Sequence, residues 1–171
     1  MTILLGILKK IVYHVVKIAI GPSPTLPQKP SFRGSIDSKD VVKMFINPQE
    51  ILQGRDTQYP LTPELKANLD KLLIAVNKLR AFYGKPLVVS SGYRPGHYNK
   101  AAGGAKSSSH LTCEAVDFRD DPKEAPLAKW CLANLNILES CGLYLEDPAA
   151  TVGWIHVSTR RPKSGNRVFK P

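Results

Sequence analysis

Cysteine is scarce: Cys113, Cys131 and Cys141 are the only three in 171 residues. Their number and irregular spacing exclude a disulfide framework and paired C-x-x-C zinc knuckles, and leave small buried thiols as the expected reading. No apolar run reaches the roughly 20 residues of a membrane-spanning helix, because Lys9, Lys10, His14 and Lys17 interrupt the longest one. No cleavable signal peptide is evident either. A glycine-rich phosphate loop is also missing, since Gly103 and Gly104 lack both the flanking pattern and the lysine with its hydroxyl neighbour. No internal repeat is visible. Acidic residues are absent from positions 1 to 35, which carry five of the 24 lysines and arginines, so this stretch holds half of the net charge of +10. Such a balance suits a nucleic acid, an anionic membrane surface or an anionic cell wall. The basic stretch lacks the aromatic interleaving or recognition motif of a nucleic-acid binder, and no nucleic acid is expected.

What is present divides into three parts. On a helical wheel, residues 1–20 gather Lys9, Lys10, Tyr13, His14 and Lys17 in one arc and Leu4, Ile7, Leu8, Ile11, Val12, Val15, Ile18 and Ala19 on the other side. This predicts a basic amphipathic helix suited to a membrane surface, to a partner's groove or to packing on its own domain. Residues 21–35 carry prolines at 22, 24, 27 and 30 and predict a stiff, extended linker. Residues 36–171 are globular in pattern, and with 43% hydrophobic residues overall the chain is long enough for one domain with a real core.

Within that domain, Leu65, Leu69, Leu72, Leu73, Val76, Leu79 and Phe82 recur at helical spacing. Thr62 serves as N-cap, Pro63 as first helical residue and Gly84 as stop. PLVVSSGYRP predicts a short strand ending in a glycine turn, HLTCEAVDF a second, and GLYLED and GWIHVST two more around the turn DPAATVG. Leu127, Trp130, Cys131, Leu135 and Leu138 predict a helix between Asp121 and Gly142. Elements in this order imply an α+β domain with a small antiparallel sheet and flanking helices.

The chemistry-bearing residues are His110, Asp117 seven positions later, and His156, which alternation places on one strand face with Trp154 and Ser158. Two nitrogens and one carboxylate oxygen suit a zinc ion that keeps its fourth position for water. On spacing alone, the same residues also fit two core histidines and a turn-capping aspartate.

SSGYR at 90–94, NKAAGGAKSSSH at 99–110, the S-x-H-x-x-x-x-A-x-D of Ser108, His110, Ala115 and Asp117, and W-x-H at 154–156 arrive in one order. Together they resemble the zinc D-alanyl-D-alanine carboxypeptidase family, and most of all its small peptidoglycan-cutting members from bacteria and phages. The resemblance spans about residues 36 to 160. It implies a hedgehog/D-Ala-D-Ala peptidase-like fold and one Zn2+ held by His110, Asp117 and His156. Arg94 would hold a substrate carboxylate or the developing oxyanion, as its planar guanidinium is suited to do. Tyr93 and Ser108 are expected beside the substrate, with His97 and Tyr98 at the surface or behind the site.

The chain departs from the family pattern twice. Cys113 stands where relatives generally have glycine, and Gly153 where they often carry the acidic general base three residues before the last histidine. Glu146, at the end of the strand that should pair with GWIHVST, is the expected substitute, with Asp147 as its rival. Hydrolysis of D-alanyl-D-alanine or L-alanyl-D-glutamate bonds in peptidoglycan is therefore expected, at the cell envelope or on a phage virion. The alternative is a non-catalytic cell-wall-binding or virion assembly module that retains the zinc fold.

Overall fold

The structure, a computed structural model, describes residues 45–171. The expected helix over 1–20 and the linker over 21–35 lie outside the described residues. Among the described residues no helix is long and apolar enough to cross a membrane.

Chain order is α1 (Pro48–Leu52), α2 (Pro63–Tyr83), β1 (Val89–Ser91), α3 (Gly96–Ala101), a 3-10 turn (Ser109–Thr112) and β2 (Ala115–Arg119). Then come α4 (Pro126–Ala133), α5 (Leu135–Ser140), β3 (Tyr144–Glu146), a second 3-10 turn (Pro148–Ala150), β4 (Trp154–Ser158) and β5 (Val168–Phe169). Helix α2 starts and stops as its caps dictate. The Thr62 side chain accepts from the Leu65 amide, Pro63 opens the first turn, and Gly84 closes the helix at φ 70°. Its Leu69, Leu72, Val76 and Leu79 are buried, Leu65 and Leu73 are partly buried, and Phe82 is exposed.

The sheet order is β1-β2-β4-β3-β5. The first four strands pair antiparallel, as expected, but β5 runs parallel to β3, so the sheet is mixed and the expectation of a purely antiparallel one is corrected. Two residues are too short to leave a period-2 signature. Arg167 seats this edge, donating to the Leu143 carbonyl and lying over the Tyr144 ring. The helix expected between 121 and 142 is two helices that meet at Asn134. The first is capped from outside: Asp120 accepts from the Leu127 and Ala128 amides.

Pleating separates the sheet into two faces. Val116, Phe118, Leu145, Ile155 and Val157 are fully buried and join the α2 leucines, Leu138 and Leu143 in one core cluster. At roughly 1.5–3 kcal/mol for each large side chain, this burial is what holds the strands in register. Asp117 and His156 are set on the opposite face.

Candidate metal centre

Register aligns the polar residues in one row across the sheet. Ser91 lies opposite Asp117 and Asp117 opposite His156. Tyr144 and Leu145 pair with Ser158 and Val157, so the next step sets Glu146 across from His156, and Glu146 in turn pairs with Phe169. The Phe169 ring meets the His156 ring edge-on at 6.3 Å. Between Val89 and Ser91 the β1 register shifts, an irregularity typical of strands beside functional sites. Ser90 donates its hydroxyl to the Asp117 carbonyl there, at 3.1 Å.

His110 arrives from the 3-10 turn, not from a strand as expected; the strand begins only at Ala115. Ser108 accepts from the His110 amide, and Cys113 ends the turn at φ 56°. That left-handed conformation is the physical reason a glycine suits position 113. The Cys113 thiol is fully buried, pushed up to about 12 by burial and then by the Glu114 charge, and lies outside the donor cluster. Arg160 ties the turn to the end of β4: Nε donates to Glu114 at 2.8 Å and Nη1 to the Ser107 carbonyl at 2.8 Å.

The donor atoms converge. His110 Nε2 lies 3.1 Å from Asp117 Oδ1 and 3.1 Å from His156 Nδ1, and His156 Nδ1 lies 2.8 Å from Asp117 Oδ1. All three residues are buried. His110 Nδ1 stands 2.7 Å from the Gly92 carbonyl, which has no proton to give, so Nδ1–H donates and the neutral ring keeps its Nε2 lone pair aimed at the other two donors. Donors about 2.0–2.1 Å from a tetrahedral zinc stand roughly 3.3 Å apart. The observed triangle is slightly tighter, and its two-nitrogen, one-oxygen set fits that ion. Asp117 spends its side chain on the two histidines and Arg94 and caps no turn among the described residues.

Electrostatics follow from burial and pairing. Burial opposes the Asp117 charge, yet hydrogen bonds and charges from His110 and His156 outweigh it and hold the carboxyl well below the usual range. Burial lowers His110, which favours the neutral ligand form. Glu146 is half-buried, and burial raises its pKa; His156 and Arg94 oppose that shift, while Asp117 adds to it.

Of the other predicted site residues, Arg94 reaches the cluster, with Nη2 3.5 Å from Asp117 Oδ2, and its buried Nε has no partner among the described residues. Tyr93 does not reach it: its side chain is buried in the core, which corrects the expectation of substrate contact. The Ser108 hydroxyl is occupied in capping the His110 turn. Asp147 caps the second 3-10 turn through the Ala149 amide, and alternation sends it to the face opposite Glu146. Gly153 sits at φ 87°, a backbone an acidic residue would strain to adopt. His97 is exposed, 2.6 Å from the Tyr59 hydroxyl, and Tyr98 lies beneath Arg55.

Sequence reasoning missed the Gly92 carbonyl, and a signal for it was available in the glycine of SGYR. A Cβ on Gly92 would stand 2.1 Å from the Ile51 carbonyl oxygen. Position 92 therefore requires glycine for close approach, with the Tyr93 amide donating to that same oxygen.

A sequence model of the family described as Peptidase M15 matches residues 42–158. No curated protein and no solved structure matches the chain.

Proposed function

The chain belongs to the M15 peptidase family, and from that premise we propose that it is a zinc peptidase that hydrolyses an amide bond in the peptides of bacterial peptidoglycan. The bond is of the D-alanyl-D-alanine or the L-alanyl-D-glutamate type. The observation that carries the reading is the meeting of three donors from separate stretches of chain, 2.8–3.1 Å apart on a buried sheet face. His110 Nε2, Asp117 Oδ1 and His156 Nδ1 would hold the ion. When bound, zinc supplies a Lewis acid that polarises the scissile carbonyl and acidifies water.

Glu146 is the general base: it takes the proton of the attacking water and returns it to the leaving amine. Its half-burial favours this role, because a raised carboxyl pKa makes a stronger base at neutral pH. Arg94 binds the substrate carboxylate or the developing oxyanion through its guanidinium, whose Nη2 stands 3.5 Å from Asp117 Oδ2. The basic, amphipathic sequence of residues 1–20 is the stretch we assign to attachment at an anionic membrane face or a virion. This gives an envelope or phage-associated cell-wall hydrolase. Cosedimentation with anionic vesicles tests the membrane tether, which fails if the protein never pellets with them.

His156→Ala is expected to abolish both zinc retention and digestion of purified peptidoglycan; a fully active variant overturns the assignment. Glu146→Gln is expected to keep its metal and lose about 10²–10⁴ in turnover. A second reading, a wall-binding or virion assembly module without catalysis, is favoured by Gly153 standing where the family base is expected. It prevails if wild type and Glu146→Gln both bind peptidoglycan and neither digests it.

A further inference from the structure

The row of site residues has a second row beside it. Arg119 follows Asp117 by two residues on β2, Trp154 precedes His156 by two on β4, and the two are paired directly across the strands. Both therefore share the face that carries the metal donors. A cavity of about 390 Å³ opens along this row, lined by the Ser90–Ser91 pair, Asp117, Arg119, Asp120, Gly153 and Trp154. It is large enough for several residues' worth of ligand atoms, and one of its walls is a metal ligand.

Two features of the cavity point to what it takes. Trp154 is 40% exposed, an unusual state for so large an apolar ring, and offers a flat wall. Arg119 is exposed and has no side-chain hydrogen bond, ion pair or ring contact among the described residues. Its nearest carboxylate in sequence, Asp120, is committed to the Leu127 and Ala128 amides. The guanidinium thus lines the cleft beside Asp120, whose oxygens the amides hold, and its own fork of donors is not engaged by any described residue.

We propose that this groove is a substrate subsite in which Arg119 recognises a carboxylate, second to the one bound by Arg94, on the stretch of peptide lying beside Trp154. The inference rests on the peptidase reading above and deepens it: the preferred substrate carries two acidic groups, one on each side of Asp117. A carboxylate there would come from an acidic side chain or from the peptide terminus, and both present the same planar pair of oxygens to the guanidinium.

The test uses the full-length, zinc-loaded protein and three synthetic wall peptides: the parent acid, the form with its acidic side chain converted to carboxamide, and the form with its terminal carboxylate amidated. Wild type is expected to prefer the parent over both amides, and the preference that Arg119 supplies is about tenfold in kcat/KM, carried by KM. Arg119→Ala should bring that ratio close to one, Arg119→Glu should invert it, and Arg119→Lys should restore part of it. The amide that distinguishes wild type from Arg119→Ala identifies which carboxylate is bound. Equal ratios in wild type and Arg119→Ala for both amides overturn the subsite while leaving the peptidase reading intact. No hydrolysis of any of the three peptides by wild type overturns the peptidase reading itself.

Discussion

Replacing Gly92 with alanine tests how the metal donors are held. The added Cβ would lie 2.1 Å from the Ile51 carbonyl oxygen and 2.7 Å from both the carbonyl carbon and Cα of Ile51. All three are main-chain atoms, so no rotamer change relieves the clash, and the oxygen contact is more than about 1 Å too short. Either α1 or the chain before Arg94 must move. Overpacking of this kind costs about 1–3 kcal/mol. The displaced segment includes the Gly92 carbonyl, which accepts from His110 Nδ1 at 2.7 Å and sets the tautomer and aim of Nε2. Losing such an outer partner weakens metal binding by about 10–100-fold. Urea denaturation with chelator present isolates the packing cost, and competition against a chromophoric zinc chelator measures affinity. A variant with wild-type midpoint and wild-type affinity refutes the steric reading. One that is destabilised but binds zinc normally refutes the claim that Gly92 aims His110.

Three further outcomes follow from the packing and charge of the domain. Phe118→Ala, at a fully buried position on the core face, should cost about 3–5 kcal/mol in urea unfolding; a loss below 1 kcal/mol would contradict the core described. Arg160→Ala frees the turn that carries His110, and since this side chain is 36% exposed the stability loss should be small, roughly 1 kcal/mol. Zinc affinity by calorimetry should nevertheless fall several-fold, and an unchanged affinity removes Arg160 from the support of the site. Burial pushes the Cys113 and Cys131 thiols up to about 12 from an ordinary 9.0, so the folded chain holds these protons more tightly than the unfolded chain. The resulting stability is complete below pH 9 and is lost as pH rises toward 12, by up to about 1.4 kcal/mol per pH unit for each thiol. Urea midpoints at pH 8 and pH 10 should differ accordingly, and less so after Cys113→Ser and Cys131→Ser; equal slopes with and without the thiols would refute it.

Much of this was legible in the sequence, for identifiable reasons. Helix α2 announces itself because cap, proline and glycine all agree with the leucine periodicity. His156 and Asp117 could be placed because strand alternation is a local rule. The sequence favours Glu146 over Asp147 only through an assumed β3–β4 pairing, and a register shift of one residue would exchange them. The His110 turn resembled a strand because its apolar residues alternate, while the positive φ of Cys113 leaves no mark when the residue is not glycine. Tyr93 shows the opposite failure: neighbours in a motif need not face the same way, and next to Arg94 it turns inward. β5 was invisible because two residues cannot carry a period, and the break at Asn134 because neither glycine nor proline stands there.

The transverse row from Ser91 through Asp117, His156 and Glu146 to Phe169 draws each member from a different strand. Length changes should therefore be tolerated very unevenly along the chain. The connection from Asp147 to Gly153 can grow or shrink without disturbing any donor, whereas one extra residue inside Trp154–Ser158 would turn His156 into the core and bring Val157 or Ile155 out in its place. Variation in this domain is expected to accumulate as insertions between strands, with the strands themselves held to constant length.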